Sequence, residues 1–258
     1  MTAHTYTGVI CLLMLASFGE ARAQAIDSPL PLQVGVTTKV TLDENERCYF
    51  KTPLAAGAFK VILDTRRADE VSGNLISSLS LLDGDGAVVQ ERAIGFNEID
   101  VDFRGVYTFS LKTPTTAGFK LSNDNAKAVF WLTVVSSASH TEVPFFGRVL
   151  PKSLVEGESK AGVLGQGESA YYVIDLKKGD YKAVLDFQNS EGQNTNIQGY
   201  LALLDADGAR LETVIGLNEV DVEYRKLAAF SVKKDTTLIL RVENTIYRVN
   251  YAVRVVPA

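Results

Sequence analysis

Along most of the chain apolar side chains recur at every second position. Phe59, Val61 and Leu63 alternate with other residues, as do Tyr181, Ala183 and Leu185. The same holds for Ile99, Val101, Phe103 and for Val220, Val222, Tyr224. A period of two sends successive side chains to opposite faces of an extended strand, so these runs predict half-buried β-strands. β-Branched and aromatic residues dominate them, as in VYTFSLK (106–112) and TLILRVE (237–243), which suits a pleated, partly buried surface. Turn-forming clusters fall between the runs, at 55–57 (AAG), 83–86 (DGDG), 95–97 (GFN) and 122–125 (SNDN). Sustained helical spacing is absent beyond the first 25 residues. The pattern predicts an all-β chain built as antiparallel, jelly-roll-like β-sandwiches.

The strand pattern occurs twice. GAFKVILD (57–64) matches GDYKAVLD (179–186), LSLLDGDGA (79–87) matches LALLDADGA (201–209), and IGFNEIDVDFR (94–104) matches IGLNEVDVEYR (215–225). Upstream, Glu46 to Phe50 aligns with Glu168 to Tyr172; downstream, WLTVV (131–135) aligns with AVRVV (252–256). The offset is 122 as far as Ala87 and 121 from Ile94 onward, so one residue is missing from the second copy after the DG turn. Ordered self-similarity of this kind marks a duplicated structural unit of ordinary domain size. The expected organisation is a signal peptide at 1–25, a first β-sandwich module at 26–137, a linker at 138–152 and a second module at 153–258.

The signal peptide rests on the apolar run Val9–Phe18, which is too short to span a bilayer, followed by the small-x-small spacings Ala21-Arg22-Ala23 and Ala23-Gln24-Ala25. Cys11 lies inside the apolar run, ahead of the small residues, and is no lipidation site. Cleavage leaves a single Cys, Cys48, and a single His, His140, so no intramolecular disulfide can form. The expected location is the periplasm or the exterior of a bacterial cell. A net charge of −5, from 26 basic and 31 acidic residues, argues against nucleic-acid binding, and a 46% hydrophobic content argues against disorder.

Two sets of acids invite a chemical reading. Asp83 and Asp85, like Asp205 and Asp207, have the spacing that opens many calcium loops, but a calcium site needs about six oxygen ligands. The sequence returns at once to strand, so a hairpin turn is the first expectation and a calcium site the second. Glu98, Asp100 and Asp102 alternate with apolar residues, and Glu219, Asp221 and Glu223 do so in the second copy. On one strand they form a triple-carboxylate face for a cation or a basic partner, or a charged edge that blocks strand pairing. Arg104 and Arg225, next in sequence, are placed to screen them.

Hydrolase motifs are missing: there is no G-x-S-x-G, no H-E-x-x-H, and a Ser–His–acid triad would have to use His140 in the junction. Cys48, beside Tyr49 and Phe50 in a strand pattern, reads as a buried inert thiol, and its counterpart is Ala170. Gly165-Gln166-Gly167 precedes a strand and is no phosphate loop. Phe145 and Phe146 in the junction, with Trp131, either pack the two modules together or form an exposed ligand platform.

The aligned blocks resemble the bacterial pre-peptidase C-terminal domain. The resemblance lies in Cys48-Tyr49-Phe50 followed by Gly57 to Leu63, in Leu79 to Gly86, and in Val129 to Val135. The second copy supplies Tyr171-Tyr172, Gly179 to Leu185, Leu201 to Gly208 and Tyr251 to Val256. It implies an accessory β-sandwich of secreted proteins, similar to collagen-binding and carbohydrate-binding modules. With the first module expected to follow a signal peptide directly, assistance to a peptidase domain of the same chain is not the expectation. The expectation is therefore a secreted, non-enzymatic binding or accessory protein that recognises a protein or glycan partner, without cofactor. The alternative is a secreted hydrolase that uses carboxylates, with calcium as its possible cofactor.

Overall fold

The computed structural model describes residues 28–68, 74–98, 102–137, 143–190, 196–220 and 223–258. Among these, every regular element is a β-strand. The first half comprises β1 (Leu30–Pro31), β2 (Thr38–Leu42), β3 (Arg47–Leu54), β4 (Gly57–Arg67), β5 (Leu75–Leu82), β6 (Val88–Glu98), β7 (Asp102–Leu111), β8 (Thr115–Asn123) and β9 (Ala128–Ser136). The second half comprises β10 (Lys152–Ser153), β11 (Ser159–Leu164), β12 (Glu168–Leu176), β13 (Gly179–Asn189), β14 (Asn196–Leu204), β15 (Arg210–Val220), β16 (Glu223–Val232), β17 (Thr236–Asn244) and β18 (Val249–Pro257).

Each half folds into a five-stranded sheet facing a four-stranded one. The orders are β1-β3-β8-β5-β6 with β2-β9-β4-β7, then β10-β12-β17-β14-β15 with β11-β18-β13-β16. The short β1–β3 and β10–β12 pairs are parallel. Alternation along each strand decides which side chains enter the sandwich. Phe59, Val61 and Leu63 of β4 meet Phe50, Leu79 and Phe119 from the opposing sheet, and Tyr181, Ala183 and Leu185 of β13 do the same with Tyr172, Leu201 and Leu240. Full burial of one such side chain stabilises by about 1.5–3 kcal/mol. At two aligned positions the cores differ in chemistry. Phe50 and Phe130 line the first, whereas Tyr172 and Tyr251 line the second and join their hydroxyls at 2.6 Å.

The one-residue difference between the copies sits in a β-bulge. In β5–β6 the register jumps from Leu79↔Ile94 to Leu81↔Gln90, and Arg92 in the bulge has φ of 47°. In β14–β15 it moves from Leu201↔Ile215 to Ala202↔Thr213, one residue fewer. A bulge absorbs such a change without turning the rest of the strand over.

Two expectations need correction. Residues 95–97 form part of β6 rather than a turn, with Phe96 buried and its neighbours exposed. The described ends of the acid-rich segment also lie in different sheets. β6 ends at Glu98 in the five-stranded sheet and β7 starts at Asp102 in the four-stranded one; β15 and β16 divide likewise at Val220 and Glu223. The apolar alternation runs through this sheet change because both strands feed the same core, where the Phe96 and Phe103 rings meet at 4.5 Å.

Candidate binding groove on the second sandwich

The Asp-x-Asp-Gly segments form closed turns. Asp83 Oδ1 accepts the N–H groups of Asp85 (3.0 Å) and Ala87 (2.8 Å), and Asp205 Oδ1 accepts those of Asp207 (3.0 Å) and Ala209 (2.8 Å). Gly86 and Gly208 supply the left-handed backbone that ends each turn, at φ of 90° and 86°. Burial pushes the Asp205 carboxyl above its ordinary range, against the opposing effect of its backbone hydrogen bonds. The carboxylate of Asp207 takes Lys60 Nζ from the first sandwich at 2.7 Å. Among the described residues no group of three or more His, Cys, Asp or Glu gathers at one point.

Of the acids on the matched segments, Asp100 and Asp221 lie outside the described residues, and for Glu98, Asp102 and Glu219 only the backbone is described. Glu223 is exposed and accepts a hydrogen bond from Gln188 Nε2 at 2.9 Å. His140 also lies outside the described residues, and Cys48 is fully buried.

Arg104 and Arg225 each bind an acid that lies outside the acid-rich segments. Arg104 pairs with Asp64 of the adjacent strand β4, Nε to Oδ1 at 2.5 Å and Nη2 to Oδ2 at 2.7 Å. Both side chains are almost wholly buried, at 4% and 3% exposure, because the junction and the second sandwich cover them. Arg104 Nη1 donates to Val143 O at 3.0 Å and Nη2 to Pro144 O at 2.9 Å. Asp64 Oδ2 accepts the Phe146 N–H at 2.7 Å. The Phe145 ring lies against the guanidinium on one side and stacks on Tyr171 of β12 on the other, with centroids 4.1 Å apart. Phe146 packs edge-on against Trp131 and beneath Arg66. With Ala202, Leu204 and Ile239 these rings form a cluster separate from either core. The pair Phe145–Phe146 therefore joins the sandwiches, and the exposed-platform reading is set aside: the two residues are 2% and 4% exposed.

The same pair recurs in the second sandwich without a cover. Arg225 binds Asp186 through Nε and Oδ1, and through Nη2 and Oδ2 at 2.8 Å. These two residues occupy the aligned positions of Arg104 and Asp64. Here the side chains are 60% and 32% exposed. Hydrogen bonding to Asp186, then its charge, raises the Arg225 pKa and keeps the guanidinium charged. A groove of about 610 Å³ opens over the pair, lined among others by Gln188, Tyr224, Tyr251 and Ala252. Ala252 stands where the first sandwich has Trp131, and Gln188 where it has Arg66, which widens the space. Nearby, Leu227 is 56% exposed on β16; its counterpart Val106 is partly covered.

No protein-family model matches the chain, and no curated protein matches it. Among solved structures it is similar to the pre-peptidase C-terminal domain of a collagenase from Bacillus anthracis, at 13% identity and a TM-score of 0.28 over 42% of this chain and 98% of that one. It is also similar to the tandem CBM22-1-CBM22-2 domains of Xyn10C from Paenibacillus barcinonensis, at 13% identity and a TM-score of 0.26 over 87% and 92%. A Paenibacillus xanthan lyase matches at 11% identity and a TM-score of 0.25 over 85% of this chain and 25% of its own. At these scores the likeness is one of β-sandwich fold alone.

Proposed function

We propose that this is a secreted, non-enzymatic binding protein whose ligand face is the Asp186–Arg225 groove and whose ligand is a polypeptide segment bearing an aromatic side chain. One observation carries the reading: the aligned pair Asp64–Arg104 already holds such a segment, Val143 to Phe146, within the same chain. Recognition there has three parts. A carboxylate oxygen accepts a main-chain N–H, guanidinium N–H groups donate to main-chain carbonyls, and the guanidinium face meets an aromatic ring. The second sandwich keeps the two side chains that supply all three. Asp186 has both oxygens engaged by Arg225, an arrangement suited to holding a ligand in place rather than to moving a proton. Export is supported by the apolar run and small-residue spacing at the N-terminus.

Selection from a displayed random-peptide library tests the reading. The full chain should enrich sequences with one or two aromatic residues, and the Arg225→Ala variant should not. Equal enrichment by both proteins, or none by either, would overturn it.

A further inference from the structure

The contact between the two sandwiches joins unlike faces. The first contributes the outer side of its four-stranded sheet, with Lys60, Asp64 and Arg104. The second contributes the outer side of its five-stranded sheet and the turn that carries Asp207 and Gly208. Lys60 Nζ binds both Asp207 carboxylate oxygens, at 2.7 and 2.8 Å, and Arg104 Nη1 reaches Asp207 O at 3.4 Å. Gly208 lies so close that an added Cβ would stand 2.6 Å from the Phe145 ring and 2.9 Å from Arg104 Cδ. Because the halves are copies, each carries both faces, and one of each remains open at opposite ends of the chain. The second sandwich exposes Lys182, Asp186 and Arg225, at the aligned positions of Lys60, Asp64 and Arg104. The first exposes Asp85 and retains Gly86, at those of Asp207 and Gly208. A hollow of about 350 Å³ lies beside that turn, lined in part by Tyr49 and Leu82, the counterparts of Tyr171 and Leu204. A turn needs its glycine and its first Asp; it needs neither a lysine on another sandwich nor a carboxylate at its third position. Yet both charged partners of the Lys60–Asp207 bridge are kept at the two open faces.

We propose that the chain self-associates head to tail, the Asp85-Gly86 turn of one copy seating on Lys182, Asp186 and Arg225 of the next. This rests on the reading that the open groove accepts a polypeptide, and it names one that needs no aromatic side chain, the turn of a second copy. The new contact repeats the one inside the chain except for the aromatic wedge, because residues 26–29, which lead into β1, hold no aromatic side chain. It also lacks the covalent tether, so it is weaker than the intramolecular contact and depends on concentration. Joining unlike faces leaves one of each free at every step, so assembly proceeds to rings or filaments rather than stopping at a symmetric dimer.

Sedimentation velocity of the full chain, from about 5 to about 500 µM at low salt, tests this. The weight-average sedimentation coefficient should climb with concentration and fall back as salt is added. Lys182→Glu alone, or Asp85→Lys alone, should leave monomer throughout, because each puts like charges at the junction. An equimolar mixture of the two variants should assemble again, since each then offers the other a complementary pair at both ends. A wild-type chain that stays monomeric, or assembly indifferent to both substitutions, would overturn the proposal. Asp85 is remote from the groove, so aromatic-peptide binding by Asp85→Lys separates the two readings. Peptide binding without wild-type self-association refutes only the head-to-tail contact, whereas loss of both refutes the groove as a polypeptide site.

Discussion

The guanidinium carbon of Arg104 lies 3.7 Å from the centroid of the Phe145 ring, on the far side of which Tyr171 stacks. One arginine thus ties together a buried carboxylate, three main-chain carbonyls and an aromatic ring drawn from both sandwiches and the junction. Removing it leaves Asp64 buried without its cation. Arg104→Ala should lower unfolding stability by about 3–5 kcal/mol, the usual cost of breaking one side of a buried pair. Arg225→Ala removes the aligned but solvent-exposed residue and should barely move the urea midpoint. Urea unfolding of the two variants, side by side, measures how far the cover over the first pair matters.

Gly208 and Gly86 separate backbone strain from close approach. Both have positive φ, so alanine at either position carries a backbone penalty of about 1 kcal/mol. At Gly208 the new Cβ also meets Phe145 and Arg104. Gly208→Ala should therefore destabilise clearly more than Gly86→Ala and should increase protease cleavage in the junction. Equal effects would mean that the contact at Gly208 is slack.

The Tyr172–Tyr251 hydroxyl pair invites a double-mutant cycle. Either single change to Phe strands the other buried hydroxyl and should cost about 1–3 kcal/mol. The double change restores the Phe50–Phe130 arrangement of the first sandwich and should recover most of the loss. Burial, reinforced by the bond to Tyr172, raises the Tyr251 pKa from its ordinary 10.0. The unfolded chain then gives up this proton at a lower pH than the folded one. The contribution to stability is complete below pH 10.0 and declines as pH rises beyond it. Urea midpoints of the wild type should fall more steeply than those of the double variant on the alkaline side.

The Asp-x-Asp-Gly turns make a prediction about calcium. Asp205 Oδ1 is occupied by two N–H groups and the Asp207 carboxylate by Lys60, so added calcium should leave the melting temperature unchanged. Asp205→Asn keeps an acceptor at the same place and should be tolerated. Asp205→Ala should open the turn and lower the melting temperature. A large calcium-dependent rise would reverse the assignment.

The strands and the side chains they send into the two cores were legible because burial on one face imposes a period of two, and duplication shows each strand twice. The place where a strand leaves its sheet was not legible. Around Glu98–Asp102 the alternation continues across the change, since Phe96 and Phe103 enter one core from opposite sheets. The binding pair was only half visible. Arg104 and Arg225 are a matched pair of cations beside the acid-rich segments, whereas Asp64 and Asp186 are distant from them in sequence and adjacent only through the β4–β7 and β13–β16 registers. A signal for them existed: an identical Asp in both copies, amid apolar residues of a strand. Which copy of the pair is covered depends on the junction docking on the first sandwich, and no repeat pattern carries that.

On the proposed reading one site exists twice in this chain, filled at Asp64–Arg104 and open at Asp186–Arg225. Titrating the full chain with a peptide of the junction sequence Val-Pro-Phe-Phe-Gly, followed by amide chemical shifts, tests it most directly. The tethered segment occupies the first site at a high effective concentration, so the free peptide should go to the second. Saturable shifts confined to β13, β16 and β18 around Asp186, Arg225 and Ala252, with affinity on the order of 10⁻⁴ M and lost in Arg225→Ala, are expected. Shifts spread over other faces, or none at millimolar peptide, would contradict the claim.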